Sequence, residues 1–202
     1  MDVDAWGRTL RAASASGGSQ HLRRDNALIV STTDFLSSRT GDSGDSPHVV
    51  FWGRLDNRDE LMRRLFPDRC GVPPLKHVPQ TGRREGCQEI TDAELVREGW
   101  RRWGQSLPEK LLGDFALAVV DTVRRQLFLA RDPLGVKPLY YWLNQDGVLF
   151  ATTPKALLCL NGLSPTVDRD WMARYLLHLS MSHDRTAYEE ILKLPGGHHL
   201  TV

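Results

Sequence analysis

Long apolar runs are missing from this sequence: none approaches the roughly 20 residues that cross a bilayer. A charge bias is missing too, since 26 Lys and Arg face 25 Asp and Glu for a formal net charge of +1. Without a strong field, nothing points to nucleic acid or an acidic membrane surface as partner. Cysteine is scarce. Cys70, Cys87 and Cys159 are an odd set that fits a reducing cytoplasm better than a disulfide scaffold. A close Cys-x2-Cys pair is absent, so His77 between Cys70 and Cys87 does not make a zinc site. They read as loop thiols, and no metal is expected. The opening MDVDAWGRTLR carries acids and no apolar segment, unlike a secretory signal.

What remains is ordinary globular content. The 202 residues, 41% apolar and 25% charged, allow one sizeable domain over 1–202. HVVFWGRL (48–55) reads as a buried strand. NRDELMRRLF follows as a helix, with Asn57 and Glu60 as its capping pair and Leu61, Leu65 and Phe66 as its apolar stripe. Residues 67–89, with four prolines and three glycines, read as a long mobile excursion. Thr91 and Glu94 form a capping box for a helix that places Leu95, Val96, Gly99, Trp100 and Trp103 on one face and ends at Gly104.

Strands dominate next. DFALAVVDT is almost continuously apolar, as a strand covered on both faces is. RRQLFLARD returns after a turn, and PLYYWLN pairs with GVLFATT. Thr153-Pro154 opens a short helix, Asp168 caps DWMARYLLHLS, and Thr186 with Glu189 predicts a capped helix over EEILKL. LPGGHHLTV reads as a turn into a last strand. Hairpins among flanking helices predict a layered α/β domain with antiparallel sheets.

RDPLGVKPLYY (131–141) is the densest motif. Asp132 precedes proline and is turned away from helix, and Gly135 permits a backbone angle that other residues avoid. The residues alone favour a rigid turn in which Arg131 and Asp132 bond to nearby backbone, over a catalytic loop.

The order of motifs adds a resemblance. GDFALAVVDTVRRQLFLARDPLGVKPLYY resembles the core of the glutaminase domain of asparagine-synthetase-type enzymes, and VVFWGRLDNRDEL, ITDAELVREGWRRWG and LKLPGGHHLTV resemble other segments of it in the family's order. The likeness is firm over about 48–202. It implies an N-terminal-nucleophile-hydrolase-like αββα sandwich, two antiparallel sheets between helical layers. It also implies the chemistry of class II glutamine amidotransferases, in which a cysteine after the initiator methionine attacks the glutamine amide with its own amine as base.

This chain departs from that chemistry. Asp2 stands at the nucleophile position, so no catalytic residue is expected. The family's oxyanion hole uses an Asn side chain and the following glycine N–H; here Trp52 replaces the Asn and Gly53 remains. Asp92 matches the acid that binds the glutamine amine, or serves the first turn of its helix. Arg39 is a poor match for the carboxylate-binding arginine. Trp52, Gly53 and Asp92 are thus expected as a vestigial glutamine pocket, with Trp52 filling the vacated space, and Arg131, Asp132, Gly135 and Lys137 as a structural turn. Ser16-Gly17-Gly18 lacks the acid and the preceding strand of the family's ATP loop. No cofactor is therefore expected in this chain, and ATP and Mg are expected of a synthetase domain after residue 202.

The resemblance is closest to the cysteine-less lasso peptide cyclases and β-lactam synthetases. It implies a degenerate glutaminase-like domain that packs on a synthetase domain, in cis or as a separate chain, with a precursor peptide as a further candidate partner. Two other readings stay open: an N-terminally incomplete glutaminase domain of an asparagine synthetase, and a stand-alone interaction protein that kept the fold.

Overall fold

The structure is a computed structural model that describes residues 47–67, 90–121, 123–144, 147–159 and 163–202, and the backbone of three earlier strands, Gln20–Arg24 (β1), Ala27–Ser31 (β2) and Leu36–Ser37 (β3). The expectations for Asp2, Ser16-Gly17-Gly18, Arg39, Cys70, His77 and Cys87, and for 68–89 of the excursion, lie outside the described residues. The remaining elements are His48–Leu55 (β4), Arg58–Leu65 (α1), Asp92–Trp103 (α2), the 3-10 helix Gly104–Lys110, Gly113–Asp121 (β5), Gln126–Arg131 (β6), Tyr140–Asn144 (β7), Gly147–Ala151 (β8), Pro154–Leu158 (α3), Arg169–Leu176 (α4), Leu192–Lys193 (β9) and His199–Thr201 (β10).

Alternation along β5 builds two cores at once. Phe115, Leu117 and Val119 join Phe51, Phe128 and the α2 residues Leu95, Val96 and Trp100 on one face. Ala116, Ala118 and Val120 join Val50, Leu127, Leu129, Leu139, Val148 and Phe150 on the other. The first sheet therefore has α2 on one side and a second sheet on the other. That second sheet turns Trp142 and Ala151 outward to Leu157 of α3 and to Ile191. The layer order is helix, sheet, sheet, helix, the αββα sandwich expected. Full burial of each Leu or Phe in these clusters contributes about 1.5–3 kcal/mol relative to exposure.

The strand order is β10-β6-β5-β4-β3 in one sheet and β8-β7-β9 in the other, every pair antiparallel. The turn after β5 is tied by the buried Asp121, whose carboxylate accepts from the Trp100 indole at 3.0 Å and from the Arg124 backbone at 2.9 Å.

Helix ends follow the sequence unevenly. Thr91 and Glu94 make the full capping box, Gly104 ends α2 at φ 57, and Thr153 and Asp168 cap α3 and α4. Asn57 departs from expectation: its side chain makes no cap bond. It donates instead to the Lys110 carbonyl at 2.9 Å and accepts from the Leu112 N–H at 3.0 Å, clamping the loop before β5. Glu60 pairs with Arg64 one turn on, at 2.8 Å.

Thr186 with Glu189 is a second correction, because no helix forms over 186–191. The Thr186 hydroxyl accepts from the Tyr188 N–H at 3.1 Å and donates to the Ile191 carbonyl at 2.6 Å. Glu190 reaches across to Thr166, so bonds to the neighbouring strand-like segment replace a helical ladder.

Candidate functional site

The motif 131–137 is a closed hydrogen-bonded turn. Arg131 is 5% exposed, and its guanidinium donates to the carbonyls of Lys137 at 2.5 Å, Leu194 at 2.6 Å and Gly135. Burial pushes its pKa down, while Asp132 and Tyr140 act in the opposite direction. Asp132 is 1% exposed and accepts the N–H groups of Val136 at 2.9 Å and Lys137 at 3.1 Å. Its backbone carbonyl accepts Gly135 at 3.0 Å and Gly197 at 2.8 Å, and its N–H donates to Phe115 at 2.8 Å. Two full side chains thus hold the backbone of one turn.

Gly135 sits at φ 65, and a Cβ there would meet the Arg131 guanidinium at 3.2 Å and the Gly196 backbone at 3.3 Å. The glycine is needed for its angle and for this close approach.

Strand register carries this turn to the positions where the resemblance places the oxyanion hole. Trp52 pairs with Ala116, which pairs with Arg131; Gly53 pairs with Phe115, which holds the Asp132 N–H. The structure therefore brings Trp52, Gly53, Arg131, Asp132, Gly135 and Lys137 to one end of the main sheet. Trp52 packs against the core between the sheets, and the Lys137 ammonium lies 4.7 Å from its ring centroid. Such a cation over an indole face is worth about 0.5–2 kcal/mol. An aromatic stacked beneath a lysine stands where the resemblance places an Asn side chain.

Gly53 has its own structural cause. At φ 145, a Cβ would fall 2.0 Å from the Asp114 carbonyl oxygen, so the two backbones meet where only glycine fits.

Asp92 lies in the first turn of α2, where its carboxylate pairs with the Arg58 guanidinium. Arg58 also donates to the Ile90 carbonyl, so it closes the start of α2 against α1. The pair is mostly covered, with side-chain exposures of 33% and 19%.

Sequence reasoning missed Arg58 because its partner is 34 residues away, across an excursion with no periodic signal. The Lys137–Trp52 stack was missed for the same reason.

A small cleft of about 230 Å³ lies elsewhere, lined by Asp170, Trp171, Arg174, Ser182 and Arg185. It is smaller than the usual range for a ligand pocket. Among the described residues, no cluster of three or more His, Cys, Asp or Glu could hold a metal ion, and no helix is long and apolar enough to cross a membrane.

Comparison with known proteins follows the same lines. A family model described as a glutamine amidotransferase domain matches residues 79–202. Asparagine synthetase [glutamine-hydrolyzing] 3 of Bacillus subtilis is 28% identical over 159 residues, 78% of this chain and 24% of that protein. Amidase chry2 of Gibberella zeae is 37% identical over 111 residues, 54% of this chain and 16% of that one. The chain thus spans a quarter or less of the length of these relatives. The glutamine phosphoribosylpyrophosphate amidotransferase of Bacillus subtilis, solved with ADP and GMP, superposes with a TM-score of 0.46 at 16% identity over 83% of this chain and 29% of its own. With more than half of its length matched by the family model, and its motifs in place on both sheets, the chain belongs to the glutamine amidotransferase domain family.

Proposed function

We propose that this chain is a glutaminase-like domain without glutamine-hydrolysing activity, the partner of an asparagine-synthetase-like, ATP-dependent amide-forming domain. Its role is structural: it shapes the substrate site of that domain. A lasso peptide macrolactam cyclase acting on a precursor peptide in the cytoplasm fits best, since that chemistry uses an amine already on the substrate and needs no ammonia. ATP and Mg belong to the synthetase domain.

The observation that carries the reading is that two of the expected pocket residues are otherwise engaged. An indole under a lysine stands where the resemblance places the oxyanion Asn, and Asp92, which the resemblance matches to the amine-binding acid, is paired with Arg58. Loss of a single oxyanion donor alone typically costs about a hundredfold or more in rate.

Ammonia release from glutamine is the test. The purified protein is expected to release none, and Trp52→Asn is expected not to restore it, because no thiol returns with the donor. Turnover that disappears on substituting one cysteine would overturn the reading.

A second reading is an N-terminally incomplete glutaminase domain of an asparagine synthetase. The relatives that bear the words glutamine-hydrolyzing favour it. Sequencing the native N-terminus separates the two: a Met-Cys-Gly start selects the second.

A further inference from the structure

We propose that the outer face of α4 and the turn after it is the surface on which the synthetase domain docks. This rests on the synthetase reading above and adds to it the place of contact.

Helix α4 is unlike the others. α1 buries Leu61, α2 buries five residues and α3 buries Leu157, whereas α4 buries none. Eight residues do not make a stable helix by themselves; most helical stability comes from packing an apolar face. Here the chain secures only the two ends.

At the N-terminus, Asp168 accepts the Trp171 N–H at 2.9 Å and pairs with Arg185. At the C-terminus, His178 takes φ 54, its N–H donates to Tyr175 at 3.2 Å, and Leu179 donates to Arg174 at 2.9 Å. That is a Schellman stop with a histidine in the position glycine usually fills.

Between the ends the apolar side chains face outward. Tyr175 is 60% exposed, Leu176 69%, Leu177 68% and Leu179 51%, and Val167 just before the helix is 50%. Five of the eleven large exposed apolar residues among those described therefore fall within 167–179. Clustering of this kind marks a contact surface, where scattered single residues would not. The Trp171 and Tyr175 rings stack at 5.3 Å and offer a rigid aromatic anchor. Around the patch Arg174 pairs with Asp170 and Arg185 with Asp168 and Asp170, while Arg169 is exposed and makes no ion pair among the described residues. An apolar centre with a largely paired polar rim suits a lasting protein contact better than a nucleic acid or an acidic lipid surface.

The relatives' size selects the occupant. The matched stretch makes up only 16% to 24% of their length, so each relative carries a body several times larger outside it.

Hydroxyl-radical footprinting tests the assignment on the native gene product, with any synthetase chain that co-purifies, against the 202-residue chain alone. Labelling of Tyr175, Leu176 and Leu177 is expected to fall about tenfold in the native product, toward the level of core side chains. Leu134, 86% exposed in a different part of the fold, serves as the unchanged control. Leu176→Asp with Leu177→Asp, folded by near-UV circular dichroism, should abolish the protection or release the synthetase.

Equal labelling in both samples, with a synthetase present, overturns the docking surface and leaves the functional reading standing. A native product with no synthetase in cis or in complex overturns both. Protection that appears in the 202-residue chain alone as its concentration rises assigns the face to a second copy and also overturns the proposal.

Discussion

The turn 131–137 and the helix α4 use the same devices to opposite ends. Each has a buried aspartate accepting backbone N–H groups, Asp132 in one and Asp168 in the other, and each has an arginine beside it. In the turn the arginine is itself buried and its guanidinium meets three carbonyls, so the chain closes the structure completely. In α4 the ends are closed and the side is not. The difference is that the sheet end of this domain closes on itself, whereas α4 leaves its apolar side chains exposed.

That contrast can be broken by substitution. Arg131→Met should have the largest effect, a loss of about 3 kcal/mol or more, because it strips buried carbonyls of their donor and leaves Asp132 uncompensated. A denaturant midpoint that falls at unchanged slope would show it; a midpoint within error of the parent would mean that the turn is not closed by Arg131.

Gly135→Val should cost more than about 1 kcal/mol, since a β-branched residue strains at φ 65 and its Cβ meets the guanidinium. A neutral result would show that the turn can be built another way.

Acid should erode the core next. Burial pushes the Asp121 carboxyl up, but the Trp100 indole and the backbone and side chain of Arg124 pull it down by more, below the usual carboxylate range. Its contribution is therefore fully present above the unfolded value near pH 4 and drains away as pH falls through the lower folded value. Melting temperatures measured against pH should fall more steeply on the acid side for the parent than for Asp121→Asn; parallel curves would contradict this.

The smallest effect belongs to α4. Leu176→Asp in the 202-residue chain should change stability by no more than about 0.5 kcal/mol, as at an ordinary surface site. A loss comparable with that of Arg131→Met would mean that the helix is packed after all and would erase the contrast.

Much of this was legible in the residues. The apolar run of DFALAVVD demanded a strand covered on both faces, and the two core clusters on either side of β5 are that demand met. Thr91 with Glu94, and Pro154 after Thr153, signalled helix starts whose bonds are entirely local. Thr186 with Glu189 carried the same signal and failed, because the Thr186 hydroxyl turned to the Ile191 carbonyl within the segment while Thr166, from outside it, engaged the Glu189 N–H and the Glu190 carboxylate. Asn57 likewise turned to Lys110 and Leu112. Local patterns held where no distant partner made a better offer to the side chain.

The sequence by itself settled the layered α/β class and the hairpin pairing of the later strands, since periodicity and turn chemistry act over a few residues. Only the tertiary structure decided that Lys137 covers the Trp52 indole, that Arg58 claims Asp92, and that α4 is left with its leucines in water. Those outcomes depend on which side chains the fold carries together from tens of residues apart, and on what is absent from their surroundings, and no local pattern encodes either.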